Sequence, residues 1–197
     1  MATRHEFYQL LAPRITDELI VTSIGGVDGE WYDTKDRDGN LYHITMSVAT
    51  SVALGLALAL PHRRVISLDG DGSILMGLPV LTDIGHQNPP NLIVIVFDNE
   101  SYEGPSRRGP GKLLTHTTGT TDLVAIARGS GIKNATLVNK LPEFQEAIDV
   151  AFQSKDASFI LVKVEYGPKI SDSTLDGPEN KYRFIRYIEK TENIKLM

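Results

Sequence analysis

The sequence predicts a three-layer α/β/α domain built on a mostly parallel sheet. Short runs of β-branched residues alternate with longer helical patterns along the chain, which is typical of strands covered by helices. The length of 197 residues suits a single hydrophobic core. The composition, 41% hydrophobic and 23% charged, is that of a globular protein and excludes a disordered chain or a membrane bundle. Residues 1–197 are therefore predicted to form one domain, with a polar tail from about residue 168.

The elements of the first part follow from local patterns, taken in chain order. Helical spacing predicts a helix over 6–11, and a β-branched run predicts a strand over 18–24. The segment 25–40 is rich in glycine and aspartate and is predicted to be a long polar loop. Alanine and leucine then predict a helix over 45–60, in which Gly55 is expected to permit close packing against another backbone.

The rest of the chain continues the alternation of strands and helices. Strands are predicted over 65–68 and 91–97, with a helix over 73–86 between them, and the second strand is apolar enough to be central. A polar loop over 100–121 follows. The remaining predicted elements are a helix over 122–128, a strand over 135–138, a helix over 142–153 and a strand over 159–164.

Charge and cysteine usage exclude several classes of function. Twenty Lys and Arg against 25 Asp and Glu give a net charge of -5, so general electrostatic binding to nucleic acid is not expected. The absence of cysteine removes disulfides, thiolate zinc sites and a cysteine nucleophile, and it fits a reducing compartment. The first residues lack a secretory signal pattern, and the apolar stretch 48–60 is too short to span a bilayer. The prediction is a cytoplasmic protein without nucleic-acid or membrane partners.

Polar residues follow two consecutive predicted strands. Ligands of an open parallel sheet bind beyond the carboxyl ends of its strands. The segment Gly70-Asp71-Gly72-Ser73 follows one strand, and its glycines let the backbone approach a phosphate closely. Asn99 follows the next strand. A carboxylate, an amide and a backbone carbonyl are ligands that Mg²⁺ accepts, so Asp71 and Asn99 are candidate metal ligands.

Three other motifs are alternatives to this interpretation. The dinucleotide fingerprint GxGxxG fails at Leu75, and the P-loop fails at Ser106 and Leu113. A Mg-dependent phosphatase of the haloacid dehalogenase (HAD) type stays open, because VISLDGDGSIL places an apolar strand before DxDGS, with Asp69 as nucleophile and Asp71 as acid. That hypothesis lacks a strand-terminal acidic pair further along the sequence.

The spacing of GDG and Asn99 resembles a known signature. Twenty-six residues separate GDG, at 70–72, from Asn99, as in the diphosphate-binding (PP) domain of thiamine diphosphate-dependent enzymes. The resemblance extends through TMSVATSVALGLALAL, DGDGSILMG and NPPNLIVIVFDNESY and covers about residues 15–165. These segments are most similar to the β subunit of sulfopyruvate decarboxylase and the matching half of phosphonopyruvate decarboxylase.

The resemblance implies a binding site for thiamine diphosphate and Mg²⁺. The implied metal ligands are the side chains of Asp71 and Asn99 and the carbonyl of Ser101. Met46 falls where the family places an apolar residue between the two cofactor rings, and the carbonyl of Ile44 would accept the 4'-amino group. The implied cofactor-binding residues are Ile44, Met46, Gly70, Asp71, Gly72, Ser73, Asn99, Ser101 and Tyr102.

The resemblance also implies a partner chain. In this family the cofactor lies between the PP domain and a pyrimidine-binding (PYR) domain, which supplies the catalytic glutamate. The chain is therefore expected to be one subunit of a split 2-oxoacid decarboxylase, assembled with a PYR-domain subunit as an α2β2 hetero-oligomer or larger. A carboligase of the acetolactate synthase type is the near alternative, and the HAD-type phosphatase is the alternative from another reaction class.

Candidate substrate-facing residues lie outside the signature. His43 directly precedes the implied cofactor-facing residues and is a candidate catalytic proton carrier, with a structural histidine as the alternative. Arg107, Arg108 and Lys112 are candidates to close over a small anionic 2-oxoacid substrate, with a solvated loop as the alternative.

Overall fold

The computed structural model describes residues 1–102, 113–165 and 176–196. Its strands are β1 (Leu19–Ser23), β2 (Asn40–Ile44), β3 (Val65–Gly70), β4 (Leu92–Asp98), β5 (Asn134–Val138) and β6 (Ser158–Lys163). They form one sheet in the spatial order β2-β1-β3-β4-β6-β5, and every neighbouring pair is parallel. The predicted parallel sheet is confirmed, and the apolar strand β4 lies inside it, between β3 and β6.

Helices cover both faces of the sheet. They are α1 (Arg4–Leu11), α2 (Gly26–Lys35), α3 (Ala49–Ala59), α4 (Asp71–Met76), α5 (Val80–Gln87), α6 (Leu123–Gly129), α7 (Leu141–Gln153) and α8 (Gly177–Glu192). Val94 and Val96 of β4 belong to one apolar cluster, and Ile93 and Ile95 belong to a second, because successive side chains of a strand point to opposite faces. The predicted three-layer architecture is confirmed. In the part of the chain that the structure describes, no helix combines the length and apolarity needed to cross a membrane.

The prediction of a long polar loop over 25–40 is wrong. These residues form α2 and lead into β2. Trp31 is fully buried and packs edge-on against the ring of Tyr8, with the ring centroids 5.1 Å apart. The Tyr8 hydroxyl also donates a hydrogen bond of 2.9 Å to the carbonyl of Val27. Contacts with α1 therefore stabilise a helix whose glycine and aspartate content disfavours it locally.

The prediction of a single helix over 73–86 is also wrong, because residues 77–79 interrupt the helix between α4 and α5. A Cβ atom at Gly77 would lie 2.4 Å from the carbonyl oxygen of Ser47, so only glycine permits this approach of two backbone segments. The amide of Ser47 in turn donates to the hydroxyl of Ser73 at 3.0 Å. Gly77 therefore allows the segment before α3 to pack against α4, and the hydrogen bond between Ser47 and Ser73 fixes that contact.

The edge strand β2 and the C-terminal helix α8 were both missed. The helix predicted over 45–60 begins only at Ala49. The strand β2 ends at Ile44, directly before the predicted start of that helix. Asn180 of α8 is fully buried against this strand. Its side chain accepts a hydrogen bond from the amide of Tyr42 at 2.7 Å and donates one to the carbonyl of Asn40 at 3.2 Å. The region predicted as a polar tail therefore contains a helix that covers a sheet edge.

Gly85→Ala is expected to destabilise the fold strongly. A Cβ atom at Gly85 would lie 1.8 Å from the carbonyl oxygen of Ser130, and neither backbone atom can move without separating α5 from the end of α6. We expect the free energy of unfolding to fall by about 3 kcal/mol or more. Urea unfolding, monitored by the fluorescence of Trp31, measures this change.

Gly55→Ala is the matched control for this substitution. Among the described residues, nothing outside the neighbouring backbone of α3 lies within 4 Å of a Cβ atom at Gly55, which corrects the expectation of close packing there. Alanine in the interior of α3 should raise the free energy of unfolding by roughly 0.5–1 kcal/mol. Similar losses of stability for the two variants would contradict the packing described for Gly85.

Candidate functional site

A cavity of about 270 Å³ opens at the carboxyl edge of the sheet. The chain passes from β1 outward to β2 and then returns to the other side of β1 as β3. Such a reversal leaves a crevice at the strand ends, which is where open parallel sheets bind ligands. Eight of the nine predicted cofactor-binding residues line the cavity, namely Met46, Gly70, Asp71, Gly72, Ser73, Asn99, Ser101 and Tyr102.

Ile44 and His43 lie outside this lining as far as the described residues show. The carbonyl of Ile44 accepts a hydrogen bond of 2.8 Å from the amide of Ile24. The Nδ1 atom of His43 contacts the carboxylate of Asp28 at 2.5 Å. Burial raises the pKa of Asp28, and the neighbouring His43 opposes that rise. Asp28 also accepts a hydrogen bond from the amide of Gly25, so this pair fastens the start of α2 to the end of β2.

The three predicted substrate residues Arg107, Arg108 and Lys112 lie outside the described residues. Their assignment to an anionic substrate stays a prediction, as does the assignment of His43 to proton transfer.

Asp71 is buried and joined to Asp98 through two threonine hydroxyls. The Oδ2 atom of Asp71 lies 2.6 Å from the hydroxyl of Thr115, which lies 2.8 Å from the hydroxyl of Thr117. The hydroxyl of Thr117 lies 2.8 Å from Oδ1 of Asp98. The other oxygen of Asp98 forms an ion pair of 2.8 Å with Lys163 on β6. A continuous polar chain thus runs from the cavity wall to the neighbouring strand.

The carboxyl of Asp71 has a raised pKa. Burial, and then the charge of Asp98, raise the pKa of Asp71 to about 7 against the opposing hydrogen bond from Thr115. The Lys163 ammonium pairs with Asp98 on the other side of the threonine hydroxyls. A cation beside Asp71 would favour its ionised form.

The turn after β4 brings Asn99 to the same cavity. Glu100 has a left-handed backbone, with φ of 62°, which is unusual for a residue with a side chain. Its carbonyl accepts a hydrogen bond of 3.1 Å from the amide of Thr115. The side-chain oxygen of Asn99 accepts one of 3.1 Å from the amide of Ser101. Local backbone strain of this kind is common at binding sites. The turn leaves Asn99 in the lining of the cavity that also contains Asp71.

Gly72 leaves room for an aromatic ring at the cavity wall. A Cβ atom at this position would lie 2.5 Å from Cδ1 of Tyr102. At Gly70, by contrast, an added Cβ would lie 3.8 Å from a methyl group of Val27, which is an ordinary contact. The backbone of 70–73 is thus open toward the cavity, and Tyr102 closes one side of it.

The position of Asp69 does not favour the phosphatase hypothesis. Its side chain is 1% exposed and is not among the described residues that line the cavity. It accepts hydrogen bonds from the hydroxyl of Thr50 at 2.8 Å and from the amide of Gly70 at 3.0 Å. Burial raises the pKa of this carboxyl. A nucleophile must reach its substrate, whereas Asp69 is enclosed by the protein's own donors.

Several residues of the site were not found from the sequence. Gly25 and Gly26 line the cavity at the end of β1, and the rule that located the GDG segment, glycine directly after a strand, applies to them equally. Arg4 also lines the cavity, although it lies at the start of α1, well before β1 in the sequence. Thr115 and Thr117 bind Asp71 through their hydroxyls. No sequence pattern singles out these last three residues.

Comparison with known proteins identifies the family. Residues 29–162 match the family described as "Thiamine pyrophosphate enzyme, C-terminal TPP binding domain". The chain belongs to this family. Membership confirms the predicted resemblance and the prediction of a component of a thiamine diphosphate-dependent enzyme. The matched range includes Met46, α3, the GDG segment, Asn99 and Tyr102. It also includes the strands β2, β3, β4 and β5 and all of β6 except its last residue.

Two relatives and one solved structure illustrate the similarity of this thiamine pyrophosphate enzyme domain. "Sulfopyruvate decarboxylase subunit beta" of Methanocaldococcus jannaschii is 38% identical over 176 residues, which are 88% of this chain and 90% of that protein. "Sulfopyruvate decarboxylase" of Methanosarcina acetivorans is 34% identical over 177 residues, which are 89% of this chain but 44% of that protein. Benzoylformate decarboxylase from Polynucleobacter necessarius shares the fold, with a TM-score of 0.67 over 84% of this chain, 34% of that chain and 22% identity.

Proposed function

We propose that the chain is the thiamine diphosphate- and Mg²⁺-binding subunit of a split decarboxylase that acts on anionic 2-oxo acids, with sulfopyruvate as the first candidate. The observation that carries the proposal is the convergence of Asp71, Asn99 and Ser101 on one cavity with the backbone of 70–73. The two relatives described above are sulfopyruvate decarboxylases by name, which supports the reaction.

The residues at this cavity fit a divalent cation. Asp71, Asn99 and the carbonyl of Ser101 would supply oxygen ligands of the kind that Mg²⁺ takes, with phosphate oxygens and water completing the shell. Burial and the neighbouring charge of Asp98 raise the pKa of Asp71 to about 7, so part of the population carries a proton at neutral pH. A bound cation would stabilise the ionised form and displace that proton. Thr115 would keep the second carboxylate oxygen oriented.

The residues of the cavity fit the two ends of the cofactor. The open backbone of 70–73 would receive the diphosphate, and Met46 contributes an apolar side chain to the lining for the rings. When bound, thiamine diphosphate supplies the electron-accepting chemistry that releases CO₂ from a 2-oxo acid. The described residues of this chain bind and orient the cofactor and, with Phe97 and Val27 in the lining, limit access of water.

Exposed apolar residues around the cavity support a second polypeptide. Ile24 lines the cavity and is 50% exposed, and Val48, two residues after Met46, is 40% exposed. Leu114 pairs with Ser101 and is 55% exposed. Apolar surface of this kind at a cavity is typical of a protein interface. A PYR-domain subunit in an α2β2 or larger assembly would cover it, and the longer Methanosarcina relative has room for such a second part.

Reconstitution tests the proposed reaction. The chain, its co-purified partner, thiamine diphosphate and Mg²⁺ are combined, and release of CO₂ is measured with sulfopyruvate and with pyruvate. We expect CO₂ from sulfopyruvate with kcat/KM at least about tenfold above that for pyruvate, since one charged contact contributes discrimination of this order. Acetolactate formed from pyruvate would favour the carboligase alternative. No CO₂ from any anionic 2-oxo acid would contradict the proposal.

A further inference from the structure

Arg4 occupies the cavity wall beside the GDG segment. It is the first residue of α1, and its side chain is 12% exposed. The strand-like segment before it is fixed to the end of β6, because the amide of Glu165 donates to the carbonyl of Ala2 at 3.0 Å and the amino group of Met1 pairs with the Glu165 carboxylate at 2.7 Å. The guanidinium is therefore held at the carboxyl edge of the sheet.

Glu30 of α2 holds the guanidinium on one edge only. Nε of Arg4 donates to this carboxylate at 3.2 Å, and one terminal nitrogen donates at 2.8 Å. A guanidinium carries five N–H donors, so three remain. Among the described residues, Glu30 is the one hydrogen-bonding partner of Arg4. Arg4 lines the cavity, whereas Glu30 is not one of the described residues that do so.

Arg4 and Asp71 line the same cavity. The lining that contains the guanidinium of Arg4 also contains the backbone of 70–73 and Asn99, so the cation faces the same space as the candidate metal ligands. A buried ion pair contributes little to stability compared with an apolar pair of the same shape. The placement of a cation with free donors in this wall is instead what recognition of an anion requires, because a guanidinium matches two phosphate oxygens at once.

We propose that Arg4 binds the diphosphate of the cofactor as a second cationic group beside the metal. This inference rests on the proposed function, since it assigns the diphosphate to the backbone of 70–73. The unused donors of Arg4 contact phosphate oxygens, while Glu30 keeps the two donors that it already binds and opposes the anion through its negative charge.

Two substitutions by neutral glutamine, with opposite expected effects, test the proposal. Arg4→Gln and Glu30→Gln are compared with the unmodified full chain, and the affinity for inorganic pyrophosphate with Mg²⁺ is measured by calorimetry. Arg4→Gln should weaken binding by roughly 10- to 100-fold, since it removes charge-assisted hydrogen bonds. Glu30→Gln should tighten binding by about 2- to 10-fold, because it removes a negative charge near the bound anion.

A purely structural ion pair predicts a different pattern. In that case both variants lower the melting temperature. Their pyrophosphate affinities either change in the same direction or stay the same, and each of these two results overturns the proposal. If Arg4→Gln does not fold, the double variant Arg4→Gln/Glu30→Gln, which leaves no unpaired buried charge, replaces it, and an affinity equal to that of the unmodified chain overturns the proposal. Binding of pyrophosphate that depends on Arg4, without binding of thiamine diphosphate, supports Arg4 as a diphosphate-binding residue and contradicts the proposed cofactor. Absence of pyrophosphate binding in the unmodified chain overturns the inference.

Discussion

Asp71→Asn is expected to abolish Mg²⁺-dependent retention of thiamine diphosphate and, at the same time, to stabilise the cofactor-free chain above pH 7. An amide is a poor substitute for the charged metal ligand, so cofactor affinity should fall by roughly 100-fold or more. The amide oxygen of asparagine can still accept the hydrogen bond from the Thr115 hydroxyl, and the amide never bears the charge that burial disfavours.

The stabilisation should depend on pH with a definite sign. The ordinary pKa of an aspartate is 3.8, and that of Asp71 in the folded chain is about 7. Below pH 4 both states bind the proton, and between pH 4 and 7 only the folded state keeps it, so the stability of the unmodified chain falls as pH rises through this window. The loss reaches the order of 3–4 kcal/mol above pH 7.

Urea unfolding of the two chains in EDTA, at pH 4.5 and pH 8, measures this difference. The advantage of Asp71→Asn should be small at the lower pH and largest at the higher one. Asn99→Ala is the control, because it removes a candidate metal ligand without removing a buried acid. It should lose cofactor retention and show no pH-dependent gain. An advantage of Asp71→Asn that is the same at both pH values would contradict the raised pKa of Asp71.

Gly72→Ala is expected to weaken cofactor binding roughly tenfold or more while the fold is retained. The added methyl group would overlap the ring of Tyr102, which can rotate away from it. Because Tyr102 lines the cavity, a displaced ring changes the shape of the binding space. Fluorescence titration with thiamine diphosphate in Mg²⁺ measures the loss, and far-UV circular dichroism verifies the fold.

A double-mutant cycle separates this steric effect from other consequences of Gly72→Ala. Tyr102→Ala removes the ring with which the methyl group collides, so Gly72→Ala should cost less affinity in that background, with a coupling of about 1–3 kcal/mol. Additive effects of the two substitutions would show that Gly72 acts by some means other than contact with Tyr102.

The chemistry of the site was predictable where it depends on strand ends and spacing. The apolar runs before Gly70 and Asn99 predict neighbouring buried strands, and parallel strands place their carboxyl ends at one edge. The structure accordingly brings Asp71 and Asn99 into one cavity. The family resemblance added Met46 and Tyr102, which line the same cavity.

The missed parts depend on contacts between distant segments. Helix α2 exists because Trp31 packs against Tyr8, which no local pattern at 25–40 indicates. Arg4 reaches the cavity because the N-terminal segment pairs with the end of β6, far along the chain. The pKa of Asp71 depends on burial and on the hydrogen bond from Thr115, which is 44 residues away in the sequence. Such properties follow from tertiary packing rather than from composition or periodicity.

We expect this chain to hold thiamine diphosphate and Mg²⁺ together with a partner subunit. The most direct measurement is to purify the tagged chain from its native cells in Mg²⁺, to determine bound thiamine diphosphate by thiochrome fluorescence, and to identify co-purifying chains by mass spectrometry. We expect stoichiometric cofactor that EDTA releases, together with a second chain of domain size. A chain that purifies alone and binds no thiamine diphosphate even when the cofactor is added would contradict it.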